Sequence, residues 1–244
     1  MLPTPALPPA PDTEASPPTL GATGLIQLLW LASPALPVGS FSYSEGLEAA
    51  VDSARVVDEA SAAQWLLDQQ ALVLARAELP LLAEAVRAWR RGDAARIAAL
   101  NDWVLHTRDG AEARQQTLQM GRSLSDWLRQ RSDDAALRQL LALEPAPTWP
   151  VAFALAAARS AAPLREALIA FGFGWAENMV QAAVKTVPLG QSAGQRLLGR
   201  LAEALPELVE QVLRSDAPPR QNFAPVLAIL AARHEAQYSR LFRS

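Results

Sequence analysis

Gly24-Leu-Ile-Gln-Leu-Leu-Trp-Leu-Ala-Ser-Pro34 carries Leu25, Leu28, Leu29 and Ala32 at spacings of three and four, and then stops at Ser33-Pro34. That spacing is the helical one, and proline closes the run because it has no N–H to donate and its ring collides with the preceding turn. The same reading extends along the rest of the chain. Alanine, leucine, arginine, glutamate and glutamine dominate, all of them strong helix formers, and no sustained alternation of apolar and polar residues marks a strand. The chain is therefore expected to be all-α. After the first helix, further helices are predicted over roughly 58–78, 81–91, 94–131, 133–143, 151–160, 163–185, 192–213 and 222–240. Glu78-Leu-Pro80, Arg91-Gly-Asp93 and Glu144-Pro-Ala-Pro147 are the expected punctuation. Connections this short imply a single compact multi-helix domain over 23–244, with neighbouring helices roughly antiparallel.

Residues 1–22 hold seven of the nineteen prolines and few large apolar groups. Such a Pro-rich N-terminal arm cannot repay the entropy of ordering, so it is expected to be disordered and dispensable for folding. The absence of cysteine excludes disulfides, thiolate catalysis and cysteine-ligated zinc. His106 and His234 are the only histidines and lie far apart, so no metal site within one subunit is expected. No lysine or arginine precedes Arg55, which leaves no positive region for a secretory signal and points to the cytoplasm. The apolar runs 25–32 and 167–176 are too short to span a bilayer. A net charge of −3 with scattered arginines gives no nucleic-acid footprint.

The phosphate loop, the paired-histidine zinc motif and the serine elbow are all missing, so no catalytic residue is assigned. Three other segments stand out. The first is Leu36-Pro-Val-Gly-Ser-Phe-Ser-Tyr-Ser-Glu-Gly-Leu-Glu48, where Pro37 and Gly39 break the helical pattern and Glu45-Gly-Leu-Glu48 resumes it, so it reads as a loop at a helix start, with Phe41 and Tyr43 either presented by the loop or tucked into the core as anchors of a tight turn. The second begins at Phe171-Gly-Phe-Gly-Trp175. Two glycines in an apolar helix cost about 1 kcal/mol each, which suggests a central helix closely approached by another backbone. Downstream, Glu177, Gln181 and Lys185 share one polar stripe, and Lys185 is the only lysine. The third is the C-terminus, where Tyr238, Leu241 and Phe242 form an apolar triplet flanked by Arg240 and Arg243. The triplet either folds back on its own core or docks on another protein. The helix before it is expected to bury Val226, Ile229 and Leu230.

Leu36 to Glu48, Ala183-Val-Lys-Thr-Val-Pro-Leu-Gly-Gln-Ser-Ala-Gly-Gln195 and Tyr238-Ser-Arg-Leu-Phe-Arg-Ser244 together resemble the urease accessory protein UreF family, over residues 25–244. The resemblance implies an all-helical cytoplasmic protein that is not an enzyme, needs no cofactor and forms a homodimer. Its implied partners are UreD (also called UreH), the nickel-carrying GTPase UreG and apo-urease. It also implies a partner-facing role for Phe41, Tyr43, Ser44 and Glu45 in the signature loop, for Lys185, Gln191 and Gln195 in the connection, and for Tyr238, Arg240, Leu241 and Phe242 in a UreD-docking tail. As loop residues, Tyr43 and Glu45 are expected to contribute little to the core. Thr107-Arg-Asp-Gly-Ala-Glu-Ala-Arg114 departs from the family pattern of a densely charged helix, and Gly110 weakens helix there. A second reading is a GTPase-activating protein that supplies an arginine to UreG, a device that contributes about 10³–10⁵ in rate.

Overall fold

The computed structural model describes residues 19–215 and 217–243, and these contain helices and no strand. In chain order they are α1 (Ala22–Ala32), a 3₁₀ turn (Ser40–Ser42), α2 (Leu47–Asp52), α3 (Glu59–Gln69), a π-helical segment (Gln70–Glu78), α4 (Leu79–Arg91), α5 (Ala94–His106), α6 (Ala111–Arg129), α7 (Ala135–Leu141), α8 (Trp149–Arg159), α9 (Leu164–Thr186), α10 (Gln191–Leu213) and α11 (Pro225–Glu235). The all-α expectation holds. Residues 1–18 of the expected arm lie outside the described residues. Its inner end is shorter than expected, because Leu20 packs on the core and α1 already begins at Ala22.

Several boundaries moved for identifiable reasons. Pro80 was expected to separate two helices, yet the chain runs through it without a break. A proline frees the carbonyl four residues back, here that of Arg76. The backbone widens to π-helix over Gln70–Glu78, and the Arg76 carbonyl accepts the Gln221 N–H at 2.9 Å instead. The single helix expected over 94–131 is two helices. Thr107 Oγ1 donates back to the Trp103 carbonyl at 2.8 Å, and Gly110 is extended as the N-cap of α6. The helix expected over 222–240 is confined to Pro225–Glu235.

The core has two parts. The larger packs α4 and α8 against α6 and the first half of α9, with Val86, Phe153 and Phe171 inside. The smaller joins α2, α3, α10 and the second half of α9 around Leu47, Leu66, Met179 and Leu197. Trp175 of α9 touches both. Both α9 glycines are approached closely, but the expected second backbone stands at Gly174, whereas Gly172 is met by a side chain. A Cβ on Gly172 would lie 2.5 Å from Leu205 Cδ1 of α10, and one on Gly174 would meet the Ala32 backbone of α1 at 3.5 Å.

Glycine also orients α1. A Cβ on Gly24 would stand 3.1 Å from the Ser160 carbonyl, so this face turns inward and carries Leu28 and Leu31 with it. Leu25 and Leu29 of the predicted apolar stripe are exposed.

Candidate functional site

The signature segment 36–48 is folded by residues with left-handed backbones. Gly39 and Gly46 have φ of 76° and 80°, and Glu45 has φ of 50°. At Gly46 even a Cβ would be crowded, at 2.8 Å from Leu227 Cδ1 of α11. The resulting turn sends successive side chains in different directions. Phe41 is 65% exposed, whereas Tyr43 and Ser44 are buried. The Tyr43 hydroxyl donates to Gln119 Oε1 at 2.6 Å, and burial pushes its pKa up, partly offset by Arg243. The Ser44 hydroxyl oxygen accepts the Glu48 N–H at 3.4 Å. These two residues therefore belong to the core: Tyr43 is the packing anchor of a tight turn rather than a peripheral loop residue, while Phe41 does not join it.

Glu45 points inward. Its carboxylate accepts from Trp175 Nε1 of α9 and from Gln116 Nε2 of α6, both at 2.8 Å. Burial raises its pKa, and these two donors offset only part of the rise. The side chain forms part of the wall of a cavity of about 220 Å³, together with Leu31, Leu74, Phe153, Phe171 and Trp175. The Arg108–Glu78 ion pair, 2.6 Å apart, also lines it.

Glu48, three residues on, faces the C-terminal tail. Its Oε1 accepts the Leu241 N–H at 2.7 Å, and its Oε2 accepts the Phe242 N–H at 2.9 Å. His234 Nε2 is 3.0 Å from the same Oε2, and His234 Nδ1 is 2.8 Å from Glu112 Oε2. Glu112 also pairs with Arg240. Burial works to raise the Glu48 pKa, but the Leu241 amide, the His234 ring and the Phe242 amide together hold it below its ordinary value. Glu235 at the end of α11 accepts the Glu112 N–H at 3.0 Å, which caps an α6 start that has no side-chain cap of its own. The Arg243 N–H donates to the Ser42 carbonyl at 2.8 Å, so the tail also closes on the signature turn.

The tail thus both folds back and faces outward, residue by residue. Phe242 is buried, with Lys185 Nζ 5.7 Å from its ring centroid. Tyr238 is fully exposed and Leu241 is 63% exposed. Arg240 is engaged with Glu112. Lys185 is exposed beside the tail, while Gln191 and Gln195 lie exposed on the first turns of α10. On α11, Leu230 is buried as expected, but Val226 and Ile229 are 46% and 56% exposed. With Phe223 they leave an uncovered apolar strip. The partners Gln116, Gln119, Glu112 and Trp175 went unrecognised in the sequence, because they lie 71 to 130 positions from the residues they hold, whereas His234 is read from the sequence as a hydrogen-bonded residue rather than a metal ligand, and it is hydrogen-bonded here. Gly110 was the one local sign that something interrupts α6 there.

Among the described residues no group of three or more histidine, aspartate or glutamate side chains is arranged to hold a metal, and no helix is long and apolar enough to cross a membrane.

A model for the family described as UreF matches residues 56–202. A urease accessory protein UreF from Methylibium petroleiphilum is 64% identical over 226 residues, which cover 92% of this chain and 95% of the relative. One from Paracidovorax citrulli is 59% identical over 247 residues, covering 99% and 98%, and one from a Polaromonas species is 57% identical over 225 residues, covering 92% and 97%.

Proposed function

The chain belongs to the UreF family of urease accessory proteins, and from that premise we propose that it acts in the cytoplasm as a scaffold for nickel insertion into apo-urease. In this reading it binds UreD, recruits the nickel-carrying GTPase UreG and works as a homodimer. It is an accessory protein and not an enzyme.

The observation that carries the reading is the apolar surface at the C-terminal end. Phe223 just before α11, Val226 and Ile229 on it, and Tyr238 and Leu241 on the tail place large apolar side chains in solvent beside a tail otherwise tied down by Glu48, Glu112 and Ser42. Side chains of this size contribute roughly 1.5–3 kcal/mol each when a partner covers them, before ordering costs are subtracted. This strip is the proposed seat of UreD. Phe41, exposed beside the turn that Arg243 closes, together with Lys185, Gln191 and Gln195, is the proposed contact surface for UreG. Tyr43, Ser44 and Glu45 support that surface from beneath.

Co-purification of the full chain with UreD and UreG, with nickel counted in each species, tests the reading. Ile229→Asp combined with Tyr238→Ala is expected to weaken UreD binding at least about tenfold without loss of helicity. Undiminished UreD binding by that variant would remove UreD from this surface.

A further inference from the structure

His234 is the one histidine enclosed by the fold, at 0% exposure, and both its ring nitrogens face carboxylates. Glu48 already accepts two backbone N–H groups, and Glu112 already accepts the Arg240 guanidinium, so both present acceptor oxygens to the ring. A neutral imidazole carries one donor and one acceptor, whereas the imidazolium donates from both nitrogens. The geometry points to a protonated His234 as the lock that keeps the C-terminal tail docked, and we infer that the tail loosens when this ring loses its proton.

Either tautomer of the neutral ring has the same consequence. If Nδ1 gives up its proton, an acceptor nitrogen faces Glu112, which holds Arg240. If Nε2 gives it up, the acceptor faces Glu48, which holds the Leu241 and Phe242 amides. Either way the repulsion falls on a carboxylate that grips the tail, against a ring that is itself fully buried. The charged groups that face the ring or its partners are Glu48 from α2, Glu112 from α6, Arg240 from the tail and Glu235 from α11, which accepts the Glu112 N–H. Arg108 and Glu45 lie one layer further out, around Gln116. With the ring protonated, Glu48 and Glu112 are balanced by His234 and Arg240. Without that proton the enclosed cluster carries an excess negative charge. The lowered pKa of Glu48 agrees with an ionised acceptor at this place.

Hydrogen exchange on the full chain tests the lock, read by mass spectrometry on the tail peptide and corrected for the intrinsic pH dependence of exchange. Between about pH 6 and about pH 8.5, a range that spans histidine titration, protection of the Leu241 and Phe242 amides is expected to fall at least about fivefold, the equivalent of one unmade buried hydrogen bond. Peptides from α4 and α8 are expected to hold their protection. Glu112→Gln can donate its amide N–H to Nδ1, so a neutral ring then satisfies both neighbours, and the pH dependence is expected to shrink or vanish. His234→Asn is expected to give a weakly protected tail at both pH values. Equal tail protection across the range in the unaltered chain would overturn the inference, as would an undiminished pH dependence in both variants. The readout is independent of any partner, so it stands or falls separately from the assignment of UreD to this surface.

Discussion

Glu45 and Glu48 sit three residues apart on the same turn, and the structure puts them to opposite uses. Glu45 is turned into the larger core, where its only hydrogen-bonding partners in view are the neutral donors Trp175 and Gln116, and burial drives its pKa up. Glu48 is turned toward the chain end, where two tail amides and a histidine hold its pKa down. One region is part of a cavity wall and the other a clasp. The contrast teaches that the signature segment reads as one motif in sequence but performs two jobs, bracing the cavity at one end and fastening the tail at the other.

The largest effect is expected from removing the core anchor of the same turn. Tyr43→Ala removes a fully enclosed ring and should destabilise the protein by about 3–5 kcal/mol, the range for large aromatic truncations in cores. Denaturant unfolding checks it. A change below about 1 kcal/mol would return Tyr43 to the periphery.

Glu48→Ala should have a smaller and more local effect. It strands two buried tail amides, each an expense of about 1–3 kcal/mol, but the loss falls on the tail rather than on α4 and α8. Limited proteolysis should show faster cleavage near 236–243 while the remaining fragment stays intact. Cooperative unfolding of the whole chain would show instead that the clasp belongs to the core.

Acid and base sharpen the comparison further, because the two carboxylates have opposite signs. Glu48 has its pKa lowered on folding, so its stabilisation is present above the ordinary carboxylate value and is lost as pH falls through the lowered folded value. Glu45 has its pKa raised, so its stabilisation is present below the ordinary value and is lost as pH rises through the raised folded value. In a urea series across pH, Glu48→Gln should flatten the acid limb of the stability profile. Glu45→Gln should flatten a decline on the other side of the ordinary carboxylate range. Identical profiles for the two variants would mean that the environments are not distinct.

The smallest effect is expected at the other chain end. Deleting residues 1–18, which leaves the packed Leu20 in place, should move the melting midpoint by less than about 2 °C, since a change of 1 kcal/mol shifts a chain of this size by roughly 2–4 °C. A drop of several degrees in a melting curve would give those residues a packing role.

The sequence determined what could be decided over a few turns of chain. Its composition and three-to-four spacing set the all-helical class, Gly172 and Gly174 marked the helix that neighbours approach closely, and Gly110 warned of the break before α6. Pro80 misled, because a proline's local tendency to end a helix can be absorbed if its freed carbonyl finds a donor, and the Gln221 amide that accepts this task lies far along the chain. The inward face of α1 was equally hidden, since leucines or isoleucine stand on more than one side of that helix and the crowding of Gly24 against Ser160 marks the one that turns in. The exposure of Val226 and Ile229 and the fate of the tail were tertiary decisions too. Helical periodicity arises from hydrogen bonds four residues apart and is written locally. Which side chain meets Glu45, Glu48 or His234 depends on elements brought together across 71 to 194 positions, and no local pattern encodes that meeting.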